Sequence, residues 1–457
     1  DDPEERPLRV VETIFQVLTM IGNAWMTILL AYYIYLSVFG FRRNTRSYAP
    51  QAPQARFLIL VPAHNEAAVI ADMVHNLASL DYPSELYDFY IIADNCTDDT
   101  AQIARSLGAK VIETRKESKN APTGKPVALK KALEHLPDYA ERYDLLMIFD
   151  ADNLMDRSIL REVNSQYISE ERPEIIQCYL GSKNQKGLVA LFYHVTYTIT
   201  NRFMNLAKYR LGLNVSVGGT GFAIQTAYLK RRGGWTTMSL TEDFEMQVDV
   251  TINGGRILWN HNVRIYDEKP TNFIASFRQR VRWSQGHWFV ALRNTPRLMK
   301  VWLKGGVSFA EMLALLTYMY SMAAPVFMLL LFINGLLEYL NPLLYGHVLA
   351  AAMIAAEAAV SAGGAQHGLW SRVLMSLSSV LMIGYSFVVL YWWAERVDNG
   401  KRLSLLHLPY ILLSYGLNLI NVSATQVLGL FKHRQQNKWV KTRHKIRQQQ
   451  SIGAPEG

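Results

Sequence analysis

The sequence predicts an α/β domain with a mostly parallel sheet, flanked by transmembrane and interfacial helices. Apolar, β-branched runs alternate with amphipathic helical patterns, as in sheets whose two faces are both covered. Charges occur at ordinary density over 55–300, whereas 14–41 and 309–431 are mostly apolar. The 457 residues, 50% of them hydrophobic, suggest two or three domain-sized units. The strand-like runs are 56–63, 86–94, 110–114 and 144–152, and the helical patterns are 66–80, 97–107 and 125–136.

The apolar flanks predict membrane anchoring. Ile14–Phe41 carries no charge and exceeds the about 20 apolar residues that cross a bilayer core. Acidic "DDPEER" precedes it and "FRRNTR" follows, so the positive-inside rule places Asp1 outside and the domain in the cytoplasm. Four later spans keep the basic tail cytoplasmic, put 395–402 outside and predict a multi-pass protein of the plasma membrane. These spans are 312–337, 344–362, 373–394 and 405–431.

Composition thus divides the chain into four parts. Glu357, inside the second of the later spans, either lines a polar path or marks a span that ends early or tilts. Cys96 and Cys178 lie far apart in the charged part, and we expect two free thiols in a reducing cytosol. The parts are an N-terminal transmembrane helix and linker (1–50), a cytosolic domain (51–300), C-terminal transmembrane helices (301–431) and a basic cytosolic tail (432–457).

Three of the strand-like runs end in polar side chains. They are "HNE" at 64–66, "DN" at 94–95 and "DAD" at 150–152. Ligands of parallel sheets bind at the carboxyl ends of the strands, so we expect these groups to converge. In "DAD" two carboxylates stand two residues apart, and a hard divalent cation would offset their repulsion and bridge phosphate oxygens. A solvated turn that caps the next helix is the alternative.

Other motifs are less specific. "TGKP" at 123–126 lacks the earlier glycine of a phosphate loop, and no His or Cys spacing suggests zinc. "GGTGF" at 218–222 lacks dinucleotide spacing, but its glycines let backbone approach a ligand closely. "SLTEDFEM" forms a formal capping box from Ser239 to Glu242 at a helix start. Asp243 could still point from that start into the cleft.

The motifs "VPAHNE", "ADNCTDDT", "FDADN", "GGTGF", "LTEDFE" and "QRVRW" occur in the order and spacing of the family 2 glycosyltransferases. Over roughly residues 55–300 the chain resembles the membrane-integrated, processive synthases of that family, such as cellulose, chitin-oligomer and hyaluronan synthases. Residues 279–283 fit their Gln-x-x-Arg-Trp signature. The resemblance implies a GT-A-like nucleotide-sugar-binding domain. It also implies transfer with inversion, which gives a β-linkage from an α-linked donor.

The same resemblance implies roles for the motif residues. Asp243 would be the general base for the acceptor hydroxyl, with Glu242 beside it, and Arg282 would face the leaving diphosphate. Asp152 would bind Mg²⁺ or Mn²⁺. The implied substrate contacts are Asp94 on uracil, Glu66 near base and ribose, Lys125 near the nucleotide, Asp150 on ribose or donor sugar, Gln279 at the acceptor site and Trp283 stacked on the acceptor sugar.

Two amphipathic stretches and the tail complete the predictions. "SFRQRVRWSQGHW" at 276–288 should form an interfacial helix whose inner face belongs to the cleft. Residues 188–212 suit either a second interfacial helix or a buried domain helix. The tail "NKWVKTRHK" resembles a Trp-x-x-Thr-Arg loop that closes over nucleotide in some synthases, with Trp439, Thr442 and Arg443 as its candidates. An ordinary basic anchor to anionic lipid is the alternative.

Three functions remain open from the sequence. The chain could extend a β-linked polysaccharide from UDP-linked glucose or N-acetylglucosamine and pass it through its own spans. It could instead add one sugar to a lipid carrier, or be a transporter with a nucleotide-sensing domain. The Gln-x-x-Arg-Trp signature and the later spans favour the first. Expected partners are the nucleotide sugar, a growing glycan or lipid acceptor and membrane lipids, without nucleic acid; a secretion partner or homo-oligomer is left open.

Overall fold

One eight-stranded sheet forms the middle of the domain between the apolar flanks. The structure is a computed structural model that describes residues 5–43, 45–118, 121–330 and 384–436. The strand order is β3-β2-β1-β4-β7-β6-β8-β5. The strands are β1 (Phe57–Ala63), β2 (Tyr87–Asp94), β3 (Lys110–Thr114), β4 (Leu145–Ile148), β5 (Leu154–Met155), β6 (Ile175–Ser182), β7 (Phe222–Gln225) and β8 (Ile257–Asp267).

In the described part of the chain the sheet is mixed, with four parallel and three antiparallel pairings, so the expectation of a mostly parallel sheet is met only in part. β1 pairs in parallel with β2 and β4, and β2 with β3, as the alternating pattern predicts. β7 is antiparallel to both β4 and β6, and β5 is antiparallel to β8, while β6 and β8 are parallel. The four-residue β7 directly follows the glycine loop at 218–221.

Helices cover both faces of the sheet and extend along one side of it. A π-helical segment, Thr200–Leu206, joins α7 to α8, and the helix that begins with α12 continues to Leu330. The helices are α1 (Glu5–Gly40), α2 (Ile70–Ala78), α3 (Thr100–Ser106), α4 (Lys125–His135), α5 (Tyr139–Arg142), α6 (Ile159–Ser169), α7 (Leu188–Ile199), α8 (Ala207–Arg210), α9 (Thr226–Arg231), α10 (Glu242–Ile252), α11 (Phe273–Leu303), α12 (Phe309–Tyr320), α13 (Tyr391–Asp398) and α14 (Leu408–Lys432).

The continuous apolar strands reflect burial on both faces. Alternate residues of a strand point to opposite sides, and in β1 Ile59 belongs to one apolar layer while Leu60 belongs to the other. Both side chains are fully buried. The predicted strands and helices of the first half are observed, each end within a few residues. Cys96 and Cys178 are free thiols, as predicted.

Two helices in the described part of the chain are long and apolar enough to cross a membrane. They are Phe309–Leu330 and Leu408–Lys432, and they overlap the first and last predicted later spans; Ala24–Gly40 is a shorter apolar helix. Two such helices do not establish a multi-pass protein. The span 344–362, with Glu357, and most of 373–394 lie outside the described residues.

The expectation that 395–402 faces the far side of the membrane is wrong. Asp398 forms an ion pair with Arg202, whose side chain is fully buried, and another with His261 at 3.1 Å. Glu395 lies 3.3 Å from His194. Because His261 belongs to β8, this segment packs directly on the sheet. Its two acidic residues, Glu395 and Asp398, are paired with the domain instead of facing water.

Candidate active site

A cavity of about 680 Å³ lies beyond the carboxyl ends of β1, β2 and β4. The glycine loop, the start of α10, the helix from α7 to α8 and part of α11 form its other walls. All ten predicted site residues that the structure describes line this cavity. They are Glu66, Asp94, Lys125, Asp150, Asp152, Glu242, Asp243, Gln279, Arg282 and Trp283.

Asp94, the last residue of β2, is fixed by two hydrogen bonds. Its Oδ1 accepts from Thr114 Oγ1 and from Asn95 Nδ2, each at 2.8 Å. The Glu66 backbone N–H donates to Thr100 Oγ1 at 2.8 Å, which ties "VPAHNE" to the start of α3, after β2. The two motifs therefore form one side of the cavity, where the resemblance places the base and ribose.

Lys125 connects three motifs at the cavity floor. Its Nζ donates to Asp150 Oδ1 at 2.6 Å and to the Gly219 carbonyl at 2.5 Å, and it lies 4.0 Å from Glu242 Oε1. Burial lowers the pKa of Lys125, but the charges of Asp150 and Glu242 outweigh it and raise that pKa overall. Lys125 is therefore a cation that holds carboxylates together at this site.

Asp152 is buried and directed by its neighbours. Its Oδ1 accepts from Asn153 Nδ2 at 3.3 Å and its Oδ2 from the Glu268 backbone N–H at 3.2 Å. Within the described ranges, no group of three or more His, Cys, Asp or Glu side chains is arranged to hold a metal ion. Mg²⁺ and Mn²⁺ accept carboxylate, water and phosphate oxygens together. The carboxylate of Asp152, which lines the cavity, is of the chemical type that such a cation binds, and its other ligands would come from a diphosphate and water.

Glu242 and Asp243 open α10 at the edge of the cavity. Burial and the charge of Asp243 raise the pKa of Glu242 to about 7, and burial raises the pKa of Asp243. Asp243 Oδ1 accepts from the Phe244 backbone N–H at 2.8 Å. A β-carbon added to Gly219 would lie 3.1 Å from Asp243 Oδ2, so the glycine loop leaves room for this carboxylate.

The capping box from Ser239 to Glu242 is not formed. Thr241 is the residue before the helix, and Glu242 is its first residue. Glu245 Oε2 instead accepts from the backbone N–H groups of Met238 and Ser239, at 3.0 and 2.9 Å. Glu245 therefore supports the loop, and Glu242 remains directed into the cavity.

α11 contributes the Gln-x-x-Arg-Trp residues. Gln279 Oε1 accepts from Tyr193 Oη at 3.0 Å, and the Trp283 ring meets the Tyr193 ring edge-on at 6.1 Å between centroids. Burial lowers the pKa of Arg282, opposed by the charges of Glu242 and Asp150. Helix 188–210, which carries Tyr193, is largely buried, as the domain-helix alternative predicts.

Several cavity residues were missed from the sequence. Gln177 Oε1 accepts from the Gly218 backbone N–H at 2.9 Å and so holds the glycine loop; a lone Gln in the apolar run of β6 was the available signal. Gln436 Oε1 accepts from the Leu240 backbone N–H at 2.9 Å. No local pattern marks Gln436. The predicted gating residues Trp439, Thr442 and Arg443 lie outside the described residues.

The profile of the family described as "Glycosyltransferase like family 2" matches residues 53–286. The chain belongs to this family. It is thus an enzyme that transfers a sugar from a nucleotide sugar, in agreement with the resemblance read from its motifs.

Several curated proteins are similar to this chain at low sequence identity. "Probable glycosyltransferase YdaM" of Bacillus subtilis is 23% identical over 296 residues, 62% of this chain and 69% of that protein. "Beta-monoglucosyldiacylglycerol synthase" of Nostoc is 26% identical over 253 residues, 53% of each. "Probable glucomannan 4-beta-mannosyltransferase 2" of Oryza sativa is 24% identical over 255 residues, 52% of this chain and 42% of that protein. The chain therefore spans about half the length of the last two.

Among solved structures, the mannosyltransferase PcManGT of Pyrobaculum calidifontis, in complex with GDP-Man and Mn²⁺, aligns with a TM-score of 0.50. The sequences are 18% identical, and the alignment covers 79% of this chain and 98% of that one. At this identity the likeness shows the fold, a glycosyltransferase α/β domain, and not the donor.

Proposed function

We propose that this family 2 glycosyltransferase extends a β-linked glycan from a nucleoside diphosphate sugar, with inversion, at the cytoplasmic face of the plasma membrane. The main support is that a carboxylate pair, an arginine and an accessible tryptophan all line one cavity of about 680 Å³. Glu242 with Asp243, Arg282 and Trp283 supply these groups. A cavity of that size suits both a donor and the sugar that accepts from it.

The residues divide the reaction among them. Asp243 takes the proton of the acceptor hydroxyl as it attacks the anomeric carbon, and a positioned base of this kind contributes ~10²–10⁴-fold. Arg282 stabilises the negative charge that develops on the leaving diphosphate. Asp94 and Glu66 bind base and ribose. When bound at Asp152, Mg²⁺ or Mn²⁺ neutralises diphosphate charge.

Trp283 is proposed to keep the chain at the site between transfers. Its ring is partly exposed to the cavity and is held by Tyr193 and α11. An aromatic face there stacks on the terminal sugar of the acceptor. A glycan retained in this way receives the next sugar without first dissociating, and outward passage would follow the membrane helices. We also propose that the segment with Trp439, Thr442 and Arg443 closes over the nucleotide.

Transfer of one sugar to a membrane lipid is the second candidate. The apolar helices beside the cavity favour it, and the Nostoc relative is described as a glycolipid synthase. The two functions share donor and base and differ in acceptor and product length.

Product analysis separates them. Purified protein in nanodiscs receives one radiolabelled nucleotide sugar at a time, and products are sized after extraction with organic solvent. Long polymer in the aqueous phase supports the glycan proposal, whereas only short, solvent-soluble products from every donor would replace it with the lipid-carrier function. Trp283→Ala should shorten the product at unchanged donor affinity. Trp302→Ala, on the same helix but outside the cavity, is its control.

A further inference from the structure

α14 turns its polar face inward and its apolar face outward. This is the reverse of a helix on the surface of a soluble protein. Its inward side chains are at most 5% exposed, and its outward aliphatic and aromatic side chains are about half exposed or more. The inward residues are Ser414, Asn418, Asn421, Thr425 and Gln426; the outward residues include Leu413, Leu417, Ile420 and Phe431.

The polar face contacts the two helices that line the active-site cavity. Ser414 Oγ donates to the Leu188 carbonyl at 2.6 Å, at the start of α7. Along α11, Asn421 Nδ2 donates to Ser276 Oγ at 3.4 Å, and Ser284 Oγ donates to Gln426 Oε1 at 2.8 Å. α14 therefore covers the Gln-x-x-Arg-Trp segment from outside.

Both ends of α14 are held by the catalytic domain. Seven residues before its start, Lys401 Nζ donates to Gln185 Oε1 at 3.3 Å. Just after its end, Gln436 bonds the backbone of Leu240 and, at 3.3 Å, of Gln285. A helix of 25 residues is roughly 37 Å long, enough for a bilayer core of about 30 Å. Crossing would place one end on the far side, where a cytoplasmic domain cannot reach it.

The charges beside α14 indicate what covers its apolar face. Arg402 precedes the helix, and Lys432, His433 and Arg434 end it. An outward apolar face between basic ends matches the acyl boundary and the anionic headgroups of a lipid surface.

We propose that α14 lies in the plane of the membrane, with its apolar face in the lipid and its polar face on the catalytic domain. It anchors the enzyme without crossing, and it presses α11 onto the cavity at the level of the headgroups. This inference rests on the membrane location in the proposed function. It replaces the predicted fourth later span, 405–431, by an interfacial helix.

Cysteine labelling from one side tests the orientation. The full chain, with Cys96→Ser and Cys178→Ser, is reconstituted in vesicles of neutral and anionic phospholipid with the catalytic domain outside. Three variants each add one cysteine to this background. Ser404→Cys and Gln435→Cys lie on either side of α14, and Ser106→Cys, exposed on α3, reports the side of the catalytic domain. An impermeant maleimide should label all three equally without permeabilisation. Labelling at 404 that requires permeabilisation would overturn the proposal.

A lipid probe tests the occupant. A polarity-sensitive fluorophore on Leu417→Cys should be quenched by brominated lipid in the same vesicles, whereas one on Ser106→Cys should not. Unchanged fluorescence at 417, with both flanks labelled, would show that something other than lipid covers the face. If the protein fails to float with the vesicles, the membrane location in the proposed function is refuted as well. If the protein floats but the cysteine at 404 is protected from the maleimide, only the in-plane helix is refuted.

Discussion

Lys125 Nζ lies 2.6 Å from Asp150 Oδ1 and bonds the Gly219 carbonyl across 94 residues of sequence. This cation joins the start of α4, the "DAD" motif and the glycine loop. Its side chain is 17% exposed, against 44% for Asp150. Lys125 is thus placed to hold the cavity in shape before any substrate binds.

Lys125→Met should lower both stability and donor affinity, because buried Glu242 and the Asp150 carboxylate lose their cation. We expect a loss in unfolding free energy on the order of 1–3 kcal/mol. Chemical denaturation and donor titration of Lys125→Met, Asp150→Asn and the double variant measure it. The double variant should recover part of the loss. Lys130→Met, exposed on the same helix, is the control, and additive effects would contradict the coupling.

Gly219→Ala should reduce turnover far more than it reduces stability. Gly219 has a φ of +73°, and its new β-carbon would meet Asp243 Oδ2 at 3.1 Å. Gly212, with a φ of +68° and open space around it, is the matched control. Each alanine costs roughly 1 kcal/mol for the backbone. Thermal unfolding should shift equally in both, while only Gly219→Ala loses transfer; equal activities would show that the loop does not set the carboxylate.

Asp243→Asn should strongly reduce transfer while leaving donor binding intact. The amide keeps an acceptor for the Phe244 N–H but cannot take a proton, so we expect a loss of ~10²–10⁴-fold. Rates are measured per folded molecule. Glu245→Gln, two residues after Asp243 on the same helix, keeps its acceptor for the loop and should remain active. If Asp243→Asn is merely less stable and equally active when folded, its role is structural.

Glu242 should make the protein less stable as pH rises. The pKa of Glu242 is raised from its ordinary value of 4.5 to about 7 in the folded protein. The folded state thus binds this proton more tightly than the unfolded state, and stability falls between these two values as the proton is lost. Glu242→Gln removes the effect, so its Tm advantage over wild type should grow from about pH 5 to about pH 7.5. A difference that stays constant over this range, as with exposed Glu134→Gln, would show that Glu242 titrates normally.

Asp152→Asn should fold and lose metal-dependent donor binding. Asp152 offers a carboxylate where a divalent cation would meet the diphosphate, and the amide is a weaker ligand for a hard cation. Calorimetry of donor binding with and without Mn²⁺ measures the loss. Asp138→Asn, exposed on the surface, should bind like wild type. Near-normal turnover of wild type in EDTA would refute the role.

The sequence was informative where local patterns decide the structure. The apolar residues of β2 and of the run 144–149 end where the chain leaves the sheet. Asp94 and Asp150 could therefore be placed at strand ends. The direction of β7 and the contact of Gln436 with Leu240 depend on residues far apart in the chain, for which periodicity carries no signal. The formal capping box failed because Glu245, one turn further, reaches the same backbone N–H groups.

The buried ion pair of Arg202 with Asp398 has a consequence for biosynthesis. The acidic partner leaves the ribosome 196 residues after the arginine, and His261 and Arg264 also precede it. Until then Arg202 lacks its carboxylate partner, and burying its charge without that partner would cost several kcal/mol. The catalytic sheet therefore cannot close on this side when its last strand is made. A nascent chain stalled before Asp398 should remain open to protease at the helix from 188 to 210, and maturation should coincide with the end of translation.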